Sequence, residues 1–412
     1  MGVVPTCAEE DFGNPSTMTD NPVDGVAVVD LLVIGGGPAG HSAAGAYRKA
    51  GGHGRVLIIS ADDTQPYNRP PLSKDYLRGE TEADDLPLES EMFYRDNNIE
   101  LVLRDSVGHL SLGSATVRTS SGRTIGYRRC VLATGCNPAV LPVPGAEHPN
   151  VLRLRSLTDG RALRKAAAGV TAAVVIGSGF IGCEAAVSLS KRGLDVTMLS
   201  TEELPQRDRL GQAAAERIAG WLVDAGVKLR EGVTVQGIED GRIVRADDGE
   251  IQADLILSAA GVTANSAVAE AAGLELSDGR ILVDERMATA TPGVYAAGDV
   301  VLAHNAAAGR RLKVEHWGEA LRMGEIAGTN AAGGDDSWTD VPGFWSGIGD
   351  RTLKYTAWGD GFDHDELIDH PGGGFTVWYS QAGRTVGVLT HRADDDYERG
   401  AELIADGGPP PV

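Results

Sequence analysis

The apolar positions of this chain fall into short, unbroken runs that are followed by glycine-rich turns. Residues 31–34 and 55–60 form the first two runs, and residues 41–50 between them contain alanines and few helix-breaking residues. An unbroken apolar run is typical of a parallel strand that is buried on both faces. The pattern therefore predicts a strand, a helix and a second strand in succession.

Three glycines with the spacing G-x-G-x-x-G follow the first predicted strand, and Asp62 follows the second, 22 residues after Gly40. This order is typical of a dinucleotide-binding unit, in which the backbone approaches a pyrophosphate and the acid accepts hydrogen bonds from a ribose. The helix N-terminus would add free N–H groups for the phosphates. The turn residues expected at this site are Gly35, Gly37, Pro38, Ala39 and Gly40.

The same pattern recurs 142 residues later, where an apolar run at 174–176 precedes a second G-x-G-x-x-G. A helical segment and another strand pattern follow it. Two such units suit two dinucleotides, a donor and an acceptor of hydride. The contact residues expected in the second unit are Gly177, Gly179, Phe180, Ile181, Gly182 and Glu184.

The second unit departs from the fingerprint at the position that reads the ribose. Ser200 follows the strand directly, where an acid would select a free 2′-hydroxyl. Glu202 could reach the ribose instead, and Arg207 is the nearest arginine for a 2′-phosphate. The preference for NADH or NADPH therefore stays open at this stage.

A proline-rich stretch, residues 66–74, comes shortly after Asp62. Its three prolines restrict the backbone and argue against a helix. We expect a rigid loop that delivers Arg69 and Lys74 to the nucleotide site, with a solvated surface loop as the alternative.

Three further strand patterns end in small residues that suit a nucleotide-binding edge. Prolines at 138, 142 and 144 mark a crossover between domains after the first of them. Asp299 would lie at the carboxyl end of a sheet, where it could bind a ribityl hydroxyl or cap the next helix. The residues at the three strand ends are Ala133, Thr134, Gly135, Gly261, Gly298 and Asp299.

The final part of the chain changes its pattern. A helix is predicted over residues 319–331, with Glu315, His316 and Trp317 at or just before its N-terminus. Strand patterns dominate from about residue 338, and a terminal helix is predicted over about 394–405.

Composition and charge narrow the possible function classes. The 412 residues carry a net charge of −21, which argues against nucleic acid and anionic membrane surfaces as partners. The chain has no apolar run long enough to span a membrane and no secretory signal, so we expect a cytoplasmic protein. The cysteines and histidines show no disulfide-framework or metal-ligand spacing, and we assign no metal. Residues 1–26 are polar and acidic and predict a disordered tail.

The chain resembles the FAD-dependent pyridine-nucleotide oxidoreductases that contain two dinucleotide folds. Within them it is most similar to the ferredoxin, rubredoxin and putidaredoxin reductases, for which RPPLSK together with VEHW is the most specific signal. The motifs that carry the resemblance are GGGPAG at 35–40, PYNRPPLSK at 66–74, LATG at 132–135, GSGFIGCE at 177–184, YAAGD at 295–299 and VEHW at 314–317.

This resemblance implies an α/β fold with two Rossmann-like, three-layer domains and a C-terminal α+β domain. The FAD-binding domain would comprise residues 27–150 and 276–332. The NAD(P)H-binding domain would comprise residues 151–275, and the C-terminal domain residues 333–412.

The resemblance also implies roles for individual residues. Lys74 would contact the flavin and pair with Glu184 near flavin N5, and Trp317 would lie near the nicotinamide, so these three are the catalytic candidates. Trp345 would point towards the same place, and Ala264 departs from the family, where proline is usual. The residues implied in FAD binding are Gly35, Gly37, Pro38, Ala39, Gly40, Asp62, Arg69, Lys74, Ala133, Thr134, Gly135, Gly298, Asp299, Glu315, His316 and Trp317, and those implied in NAD(P)H binding are Gly177, Gly179, Phe180, Ile181, Gly182, Glu184, Ser200, Glu202 and Gly261.

The implied activity is hydride transfer from NAD(P)H to FAD, followed by delivery of single electrons to a ferredoxin-type iron–sulfur protein that feeds a cytochrome P450 or an oxygenase. An NAD(P)H oxidase, or an electron shuttle like apoptosis-inducing factor, would share every motif. A disulfide reductase would need two cysteines poised beside the flavin, and we interpret Cys130 and Cys136 as packing and turn residues. A non-catalytic protein that signals its own reduction by NADH is the remaining alternative.

A local basic cluster, Arg310, Arg311 and Lys313, interrupts this acidic chain, and Arg322 follows nearby. Ferredoxins are usually acidic, so we predict that this cluster docks the iron–sulfur partner, with a solvated turn as the alternative. We expect a monomer, with a dimer as the alternative.

Overall fold

The computed structural model describes residues 26–411, so the expected disordered tail lies outside the described residues except for Val26. Short 3-10 helices cover Pro70–Ser73 and Ala83–Asp85. The strands in chain order are β1 Val28–Ile34, β2 Val56–Ile59, β3 Ile99–Val102, β4 Val107–Ser111, β5 Thr116–Thr119, β6 Thr124–Leu132, β7 Cys136–Pro138, β8 Val151–Leu152, β9 Ala172–Ile176, β10 Asp195–Leu199, β11 Lys228–Arg230, β12 Val235–Glu239, β13 Ile243–Ala246, β14 Gly249–Gln252, β15 Leu255–Ser258, β16 Val262–Ala264, β17 Leu276–Ser277, β18 Arg280–Val283, β19 Val294–Ala296, β20 Val301–Asn305, β21 Arg310–Leu312, β22 Gly343–Ile348, β23 Arg351–Ala357, β24 His364–Asp369, β25 Phe375–Gln381 and β26 Arg384–His391. The helices are α1 Pro38–Lys49, α2 Asp75–Arg78, α3 Glu91–Asp96, α4 Leu157–Ala166, α5 Phe180–Lys191, α6 Arg207–Asp224, α7 Ala267–Ala271, α8 Trp317–Ala331 and α9 Asp394–Asp406.

The first glycine fingerprint belongs to a seven-stranded sheet of order β3-β2-β1-β6-β5-β4, with β19 beside β6. Strands β3, β2, β1, β6 and β19 run parallel, and Leu31 of β1 pairs with both Val56 and Arg129. The apolar run of β1 is buried, as its sequence pattern predicted. The carboxyl ends of these strands meet at one edge, where the glycine turn lies.

Helices α1 and α8 pack closely against each other beside this sheet. A Cβ atom on Gly324 would lie 2.2 Å from the carbonyl oxygen of Ala39, and one on Gly328 would lie 2.0 Å from that of Ala43. Both contacts are offset by four residues in the same direction, so the helices run parallel. The N-terminus of α8 therefore extends roughly 9 Å beyond that of α1, at 1.5 Å per residue.

The second glycine fingerprint belongs to a five-stranded parallel sheet of order β11-β10-β9-β15-β8. Its core packs against α5 and α6, and β12, β13 and β14 form a separate antiparallel sheet. The predicted α/β fold with two nucleotide-binding sheets is thus confirmed.

The chain passes from the first sheet to the second and back through a two-stranded ribbon. Strands β7 and β16 pair antiparallel there, with Pro138 opposite Val262 and Cys136 opposite Ala264. The chain therefore leaves the first sheet and returns to it at neighbouring positions, although more than a hundred residues separate β7 from β16.

The last part of the chain forms an antiparallel sheet of order β22-β23-β26-β25-β24, on which α9 packs. Its edge strand β22 contacts α5 and α8. Through β25, the same sheet also contacts α6, because the Tyr379 hydroxyl donates a 2.8 Å hydrogen bond to the carbonyl oxygen of Leu210. A further four-stranded sheet, β17-β18-β20-β21, lies between these parts in the chain.

One local prediction was wrong. Pro70–Ser73 forms a 3-10 helix inside the proline-rich stretch, because prolines at the first positions of a helix lack only N–H groups that would be unpaired anyway. Strand β6 is continuous from Thr124 to Leu132, and it pairs with β5 at its start and with β1 along its length.

Candidate functional site

The first glycine turn lies directly against the end of β6. Gly35 has φ +121°, and a Cβ atom there would lie 2.1 Å from the carbonyl oxygen of Ala133, so only glycine fits. A Cβ atom on Gly40 would lie 2.0 Å from the carbonyl oxygen of Gly35, which places α1 close to β1. Helix α1 begins at Pro38 with Gly37 as its N-cap, so its free N–H groups point towards the strand ends.

A cavity of about 610 Å³ opens at this edge. Most of the residues predicted to bind the first dinucleotide line this cavity. Lys74, Glu315, His316 and Trp317 do not line it, and Gly40 packs beneath the glycine turn. The predicted residues on the wall are Gly35, Gly37, Pro38, Ala39, Asp62, Arg69, Ala133, Thr134, Gly135, Gly298 and Asp299.

The proline-rich stretch holds Asp62 and Arg69 at the cavity. Arg69 Nη2 lies 3.4 Å from Asp62 Oδ2, and the Tyr67 hydroxyl donates to the same oxygen at 3.3 Å. The Tyr67 hydroxyl also accepts a 2.8 Å bond from the N–H of Leu157, and burial raises the pKa of Tyr67 to about 12. This stretch is therefore a positioning loop rather than a solvated one.

Two arginines that the sequence did not single out organise the opposite wall. Arg155 forms an ion pair with Asp299, and buried Arg280 bonds both the main-chain oxygen of Asp299 and the carboxylate of Glu315. Strand β20, not a helix, follows Asp299, so the alternative reading of Asp299 as an N-cap was wrong. The one sequence signal for Arg280 is its positive charge at the start of an otherwise apolar strand.

The segment Glu315–Trp317 leads into α8, as predicted from its place at the N-terminus of that helix in the sequence. His316 is the N-cap residue, and its ring lies 4.6 Å from that of Phe344 in β22. Burial lowers the pKa of His316 to about 4, so the ring is neutral near pH 7. Its Nδ1 atom has no hydrogen-bond partner within residues 26–411, and a bound group would supply one.

The ion pair expected between Lys74 and Glu184 is present. Lys74 Nζ lies 2.7 Å from Glu184 Oε2, and the Ser73 hydroxyl donates to the same oxygen at 2.5 Å. The Ser346 hydroxyl donates to Oε1 at 2.7 Å. Lys74 Nζ also lies 5.0 Å from the centre of the Trp345 ring, which is 50% exposed. Ser73 and Ser346 were not identified from the sequence, because only the tertiary fold brings them to Glu184.

The second glycine turn repeats the geometry of the first. Gly177 has φ +108°, and a Cβ atom there would lie 2.5 Å from the carbonyl oxygen of Ala259. Gly179 is the N-cap of α5, and a Cβ atom on Gly182 would lie 2.2 Å from the Gly177 oxygen. Gly261 lies in open space beyond the end of β15.

Two large apolar residues follow this second turn at the start of α5. The Phe180 ring lies 4.8 Å from that of Phe344, which joins the turn to the C-terminal sheet. Ile181 is 40% exposed at the helix start.

Ser200 does not face a ribose as an acid would. It is buried and shares a 2.7 Å hydrogen bond with the Ser178 hydroxyl, while Gln206 Nε2 donates to the Ser178 carbonyl oxygen. The N–H of Glu202 donates to Ser200 Oγ at 3.1 Å, so Ser200 shapes the loop that presents Glu202. Burial raises the pKa of Glu202, and its Oε2 atom finds no donor in the part of the chain that the structure describes.

The three cysteines within residues 26–411 are buried and do not form a redox centre. Cys130, Cys136 and Cys183 are buried free thiols, with no disulfide among the described residues. Burial raises the pKa of Cys136 to about 11 and raises the pKa values of the other two thiols as well, so none of them is a ready thiolate. Cys7 lies outside the described residues.

Between Val26 and Pro411 no group of His, Cys, Asp and Glu side chains has the arrangement of a metal site. The helices of that same region are too short or too polar to cross a membrane.

Comparisons with known proteins agree with this geometry. The profile of a family described as pyridine nucleotide-disulphide oxidoreductase matches residues 29–324. The rubredoxin-NAD(+) reductase of Pseudomonas putida is 32% identical over 82% of this chain and 88% of its own length. The putidaredoxin reductase of the same organism is 30% identical over 92% of each chain.

Solved structures give the same result. The ferredoxin reductase for the CYP199A2 system of Rhodopseudomonas palustris superposes with a TM-score of 0.87 at 29% identity, covering 92% of this chain and 95% of its own. A structure described as the covalent putidaredoxin reductase–putidaredoxin complex gives a TM-score of 0.87 at 29% identity, covering 93% and 94%.

The matched region contains both glycine fingerprints, the Lys74–Glu184 pair and the wall of the cavity. The expected oxidoreductase class, with FAD and NAD(P)H as cofactors, is therefore confirmed. This chain belongs to the pyridine nucleotide-disulphide oxidoreductase family.

Proposed function

We propose that this protein is an FAD-dependent NAD(P)H:ferredoxin oxidoreductase, which accepts hydride from a reduced nicotinamide and passes single electrons to a ferredoxin-type iron–sulfur protein. The observation that carries the proposal is the buried Lys74–Glu184 pair, which joins the first nucleotide-binding unit to the second. The similarity to rubredoxin and putidaredoxin reductases supports the choice of acceptor class.

The residues of the first unit fit FAD. The glycine turn lines the cavity of about 610 Å³, and the nearest atom to a Cβ on Gly37 would be Arg69 Nη2 at 3.7 Å, so the backbone there is open to a bound group. In this assignment α1 faces the pyrophosphate and Asp62 holds the adenosine ribose. Asp299 holds the ribityl chain, and His316 lies at the flavin side, where its Nδ1 atom has no hydrogen-bond partner among residues 26–411. The FAD-binding domain would be residues 27–150 and 276–332.

Bound FAD supplies the ability to accept two electrons together and release them singly. Lys74 holds a positive charge at the junction of the domains, where it stabilises negative charge that develops on reduction. Glu184 fixes the ammonium in place, and Trp317, the first residue of α8, would lie near the nicotinamide. The neutral ring of His316 adds no charge of its own.

The second unit, residues 151–275, would bind the pyridine nucleotide, and we propose NADH as the preferred form. Glu202 carries a carboxylate two positions beyond the usual acid, and its buried Oε2 accepts no hydrogen bond from residues 26–411, so a ribose hydroxyl would serve as its donor. Two of the nearby arginines are engaged elsewhere, because Arg207 pairs with Glu203 and Arg230 pairs with Asp248.

The acceptor would dock at the basic cluster of Arg310, Arg311 and Lys313, with Arg311 as its main contact. Arg310 pairs with Asp360, and Lys313 Nζ lies 3.5 Å from Glu315 Oε1, so their charges are partly neutralised. Arg311 is exposed on β21 and has no carboxylate within ion-pair distance among residues 26–411.

Arg322 is a poor fourth member of this cluster. It is surrounded by the carboxylates of Glu325, Asp336 and Asp340, and the acids raise its pKa further above the usual value. Charge reversal at Arg311 should therefore raise the Michaelis constant for a ferredoxin at low salt, while reversal at Arg322 should not.

Anaerobic cytochrome c reduction tests the function directly. NADH or NADPH drives the reaction, with and without a [2Fe–2S] or [3Fe–4S] ferredoxin. Strong stimulation by a ferredoxin supports the reductase, and fast flavin bleaching without any stimulation contradicts it. That second result would favour an oxidase or an electron shuttle, and human apoptosis-inducing factor 3 is 28% identical over 92% of this chain. We propose a cytoplasmic monomer, which size-exclusion chromatography with light scattering can test.

A further inference from the structure

The carboxylate of Glu184 receives donors from two separate parts of the chain and lies itself on a third. Oε2 accepts from Ser73 and Lys74, the last two residues of the proline-rich stretch of the first unit. Glu184 itself lies on α5 of the second unit. Oε1 accepts a 2.7 Å bond from the Ser346 hydroxyl and a 3.3 Å bond from the N–H of Gly347, both on β22 of the C-terminal sheet.

The structure of β22 explains how it reaches this carboxylate. It is the edge strand of its sheet, and within residues 26–411 it pairs with β23 alone, so its other side is free to meet α5. Side chains alternate along a strand, and here Trp345 is exposed while Ser346 is 1% exposed. Neighbouring residues of one strand thus contact the two members of one ion pair, Trp345 the lysine and Ser346 the glutamate.

The contact on the Oε1 side is tightly packed. A Cβ atom on Gly347 would lie 3.2 Å from Cδ of Lys74, so β22 also presses against the stem of the lysine. On the Oε2 side, the Ser188 hydroxyl on the next turn of α5 donates a 2.7 Å bond to the carbonyl oxygen of Ser73. The carboxylate is therefore held from both sides, and each oxygen has its own set of donors.

We propose that Ser346 is a positioning residue for hydride transfer. Its hydroxyl occupies Oε1 of Glu184, so that Oε2 alone is directed at Lys74 and the ammonium stays at one fixed place. Hydrogen bonds to a buried carboxylate are among the stronger ones, because the acceptor is charged and water is excluded. Ser346 belongs to neither nucleotide-binding unit, so the C-terminal domain takes part in the reductive half of the reaction.

Loss of the Ser346 hydroxyl has a defined electrical consequence. Its hydrogen points a positive partial charge at Glu184, and without it the field at the junction becomes more negative. Oε1 then lacks its hydroxyl donor, and the carboxylate is free to turn and draw Lys74 with it. Reduced flavin should therefore be less stabilised, and hydride transfer should slow without a change in how the nucleotide binds.

The test compares Ser346→Ala and Ser346→Cys with Thr390→Val in the flavin-loaded protein. Cysteine keeps nearly the same shape with a much weaker donor, so it separates the hydrogen bond from packing. Thr390 is a matched control, because it is buried in the same sheet and its hydroxyl has no partner among the described residues. Anaerobic stopped-flow with NADH gives the limiting rate of flavin reduction and the dissociation constant separately.

Both Ser346 variants should reduce the flavin about tenfold more slowly, since a bond to a charged group is lost, with the dissociation constant for NADH within twofold of wild type. The flavin midpoint potential, titrated with dithionite, should fall in both variants and stay unchanged in Thr390→Val. Wild-type rates and potential in Ser346→Cys would overturn the proposal, as would an equal effect of Thr390→Val.

This inference rests on the proposed function for its flavin and hydride donor but not for its iron–sulfur acceptor. The dithionite titration needs no pyridine nucleotide and no ferredoxin. If the protein does not reduce a ferredoxin, the effect of the Ser346 variants on the flavin potential can still be measured. Failure of the ferredoxin assay and failure of the Ser346 proposal are therefore distinguishable.

Discussion

Lys74 and Glu184 form an ion pair of 2.7 Å whose two side chains are only 12% and 6% exposed. Because water screens this pair weakly, the charge of the lysine acts over its surroundings more strongly than a surface lysine would. The lysine side chain comes from the loop after a 3-10 helix and the carboxylate from a helix of the other nucleotide-binding unit, so their meeting depends on how the domains pack.

Replacement of Lys74 by Ala should lower the flavin midpoint potential. A net effect of about 1–2 kcal/mol, once Glu184 has offset part of the charge, corresponds to a few tens of millivolts at ~30 mV per 1.4 kcal/mol for a two-electron couple. Spectroelectrochemical titration measures the shift. Lys191→Ala is the matched control, because Lys191 lies further along α5 and pairs with Asp350 at the surface. An unchanged potential in Lys74→Ala would remove this residue from the role.

Replacement of Glu202 by Ala should selectively weaken the use of NADH. Loss of a hydrogen bond between a carboxylate and a ribose hydroxyl should reduce kcat/KM for NADH about tenfold or more. The value for NADPH should change much less, since a 2′-phosphate gains from the removal of negative charge. Glu203→Ala is the control, because Glu203 is exposed and pairs with Arg207. A wild-type preference for NADPH would contradict the assignment of Glu202.

Replacement of Gly328 by Ala should destabilise the protein and impair FAD retention. The new methyl group would lie about 2.0 Å from the carbonyl oxygen of Ala43, so α8 must move away from α1. Overpacking of this kind typically costs about 1–3 kcal/mol. Gly220→Ala in α6 is the control, since no atom lies within 4 Å of its Cβ position, and a more helix-favouring residue there should be neutral or stabilising. Thermal unfolding and flavin content after desalting report both effects.

Replacement of Glu319 by Gln should increase stability above pH 7 and have little effect near pH 4. Burial raises the pKa of Glu319 to about 7, from an ordinary value of 4.5. Glu319 accepts bonds from Trp338 Nε1 at 3.1 Å and the Gly343 N–H at 3.4 Å, while Asp340 and Arg322 act on it from nearby.

The sign of this effect follows from proton linkage. Below pH 4.5 the carboxyl is protonated in both states, and its native environment carries no penalty. As the pH rises to 7 the unfolded state loses its proton first, so the wild type loses about 2–3 kcal/mol of stability at 1.36 kcal/mol per pKa unit. Unfolding curves at pH 5 and pH 8 measure the difference, with Glu270→Gln on the exposed side of α7 as the control. Equal curves for wild type and Glu319→Gln at pH 8 would contradict the raised pKa.

The parts of the site that repeat a short local pattern could be predicted from the sequence. Gly35 and Gly177 were found because strand, glycine turn and helix are contiguous, and each of these glycines meets the backbone of a later strand end. Arg280 and Ser346 could not be found in that way. Each is a single residue in a strand, and its partner lies 35 or 162 positions away and reaches it only through domain packing.

The errors have local physical causes. Prolines in series suggested an extended loop, but Pro70 and Pro71 occupy the first turn of a 3-10 helix, where their missing N–H groups cost nothing. Asp299 suggested a helix cap by residue type, although strand β20 follows and a buried arginine takes its main-chain oxygen.

The ribbon of β7 and β16 carries both chain connections between the second nucleotide-binding unit and the rest of the protein. Pro138 and Val262 are strand partners, so the ends that would remain after removal of the intervening residues are already neighbours. A gene segment that encodes these residues can therefore be exchanged while the strand connections of the seven-stranded sheet stay as they are. Exchange of this segment between relatives should therefore transfer the coenzyme preference, provided that the new α5 carries a glutamate that contacts Lys74 and Ser346.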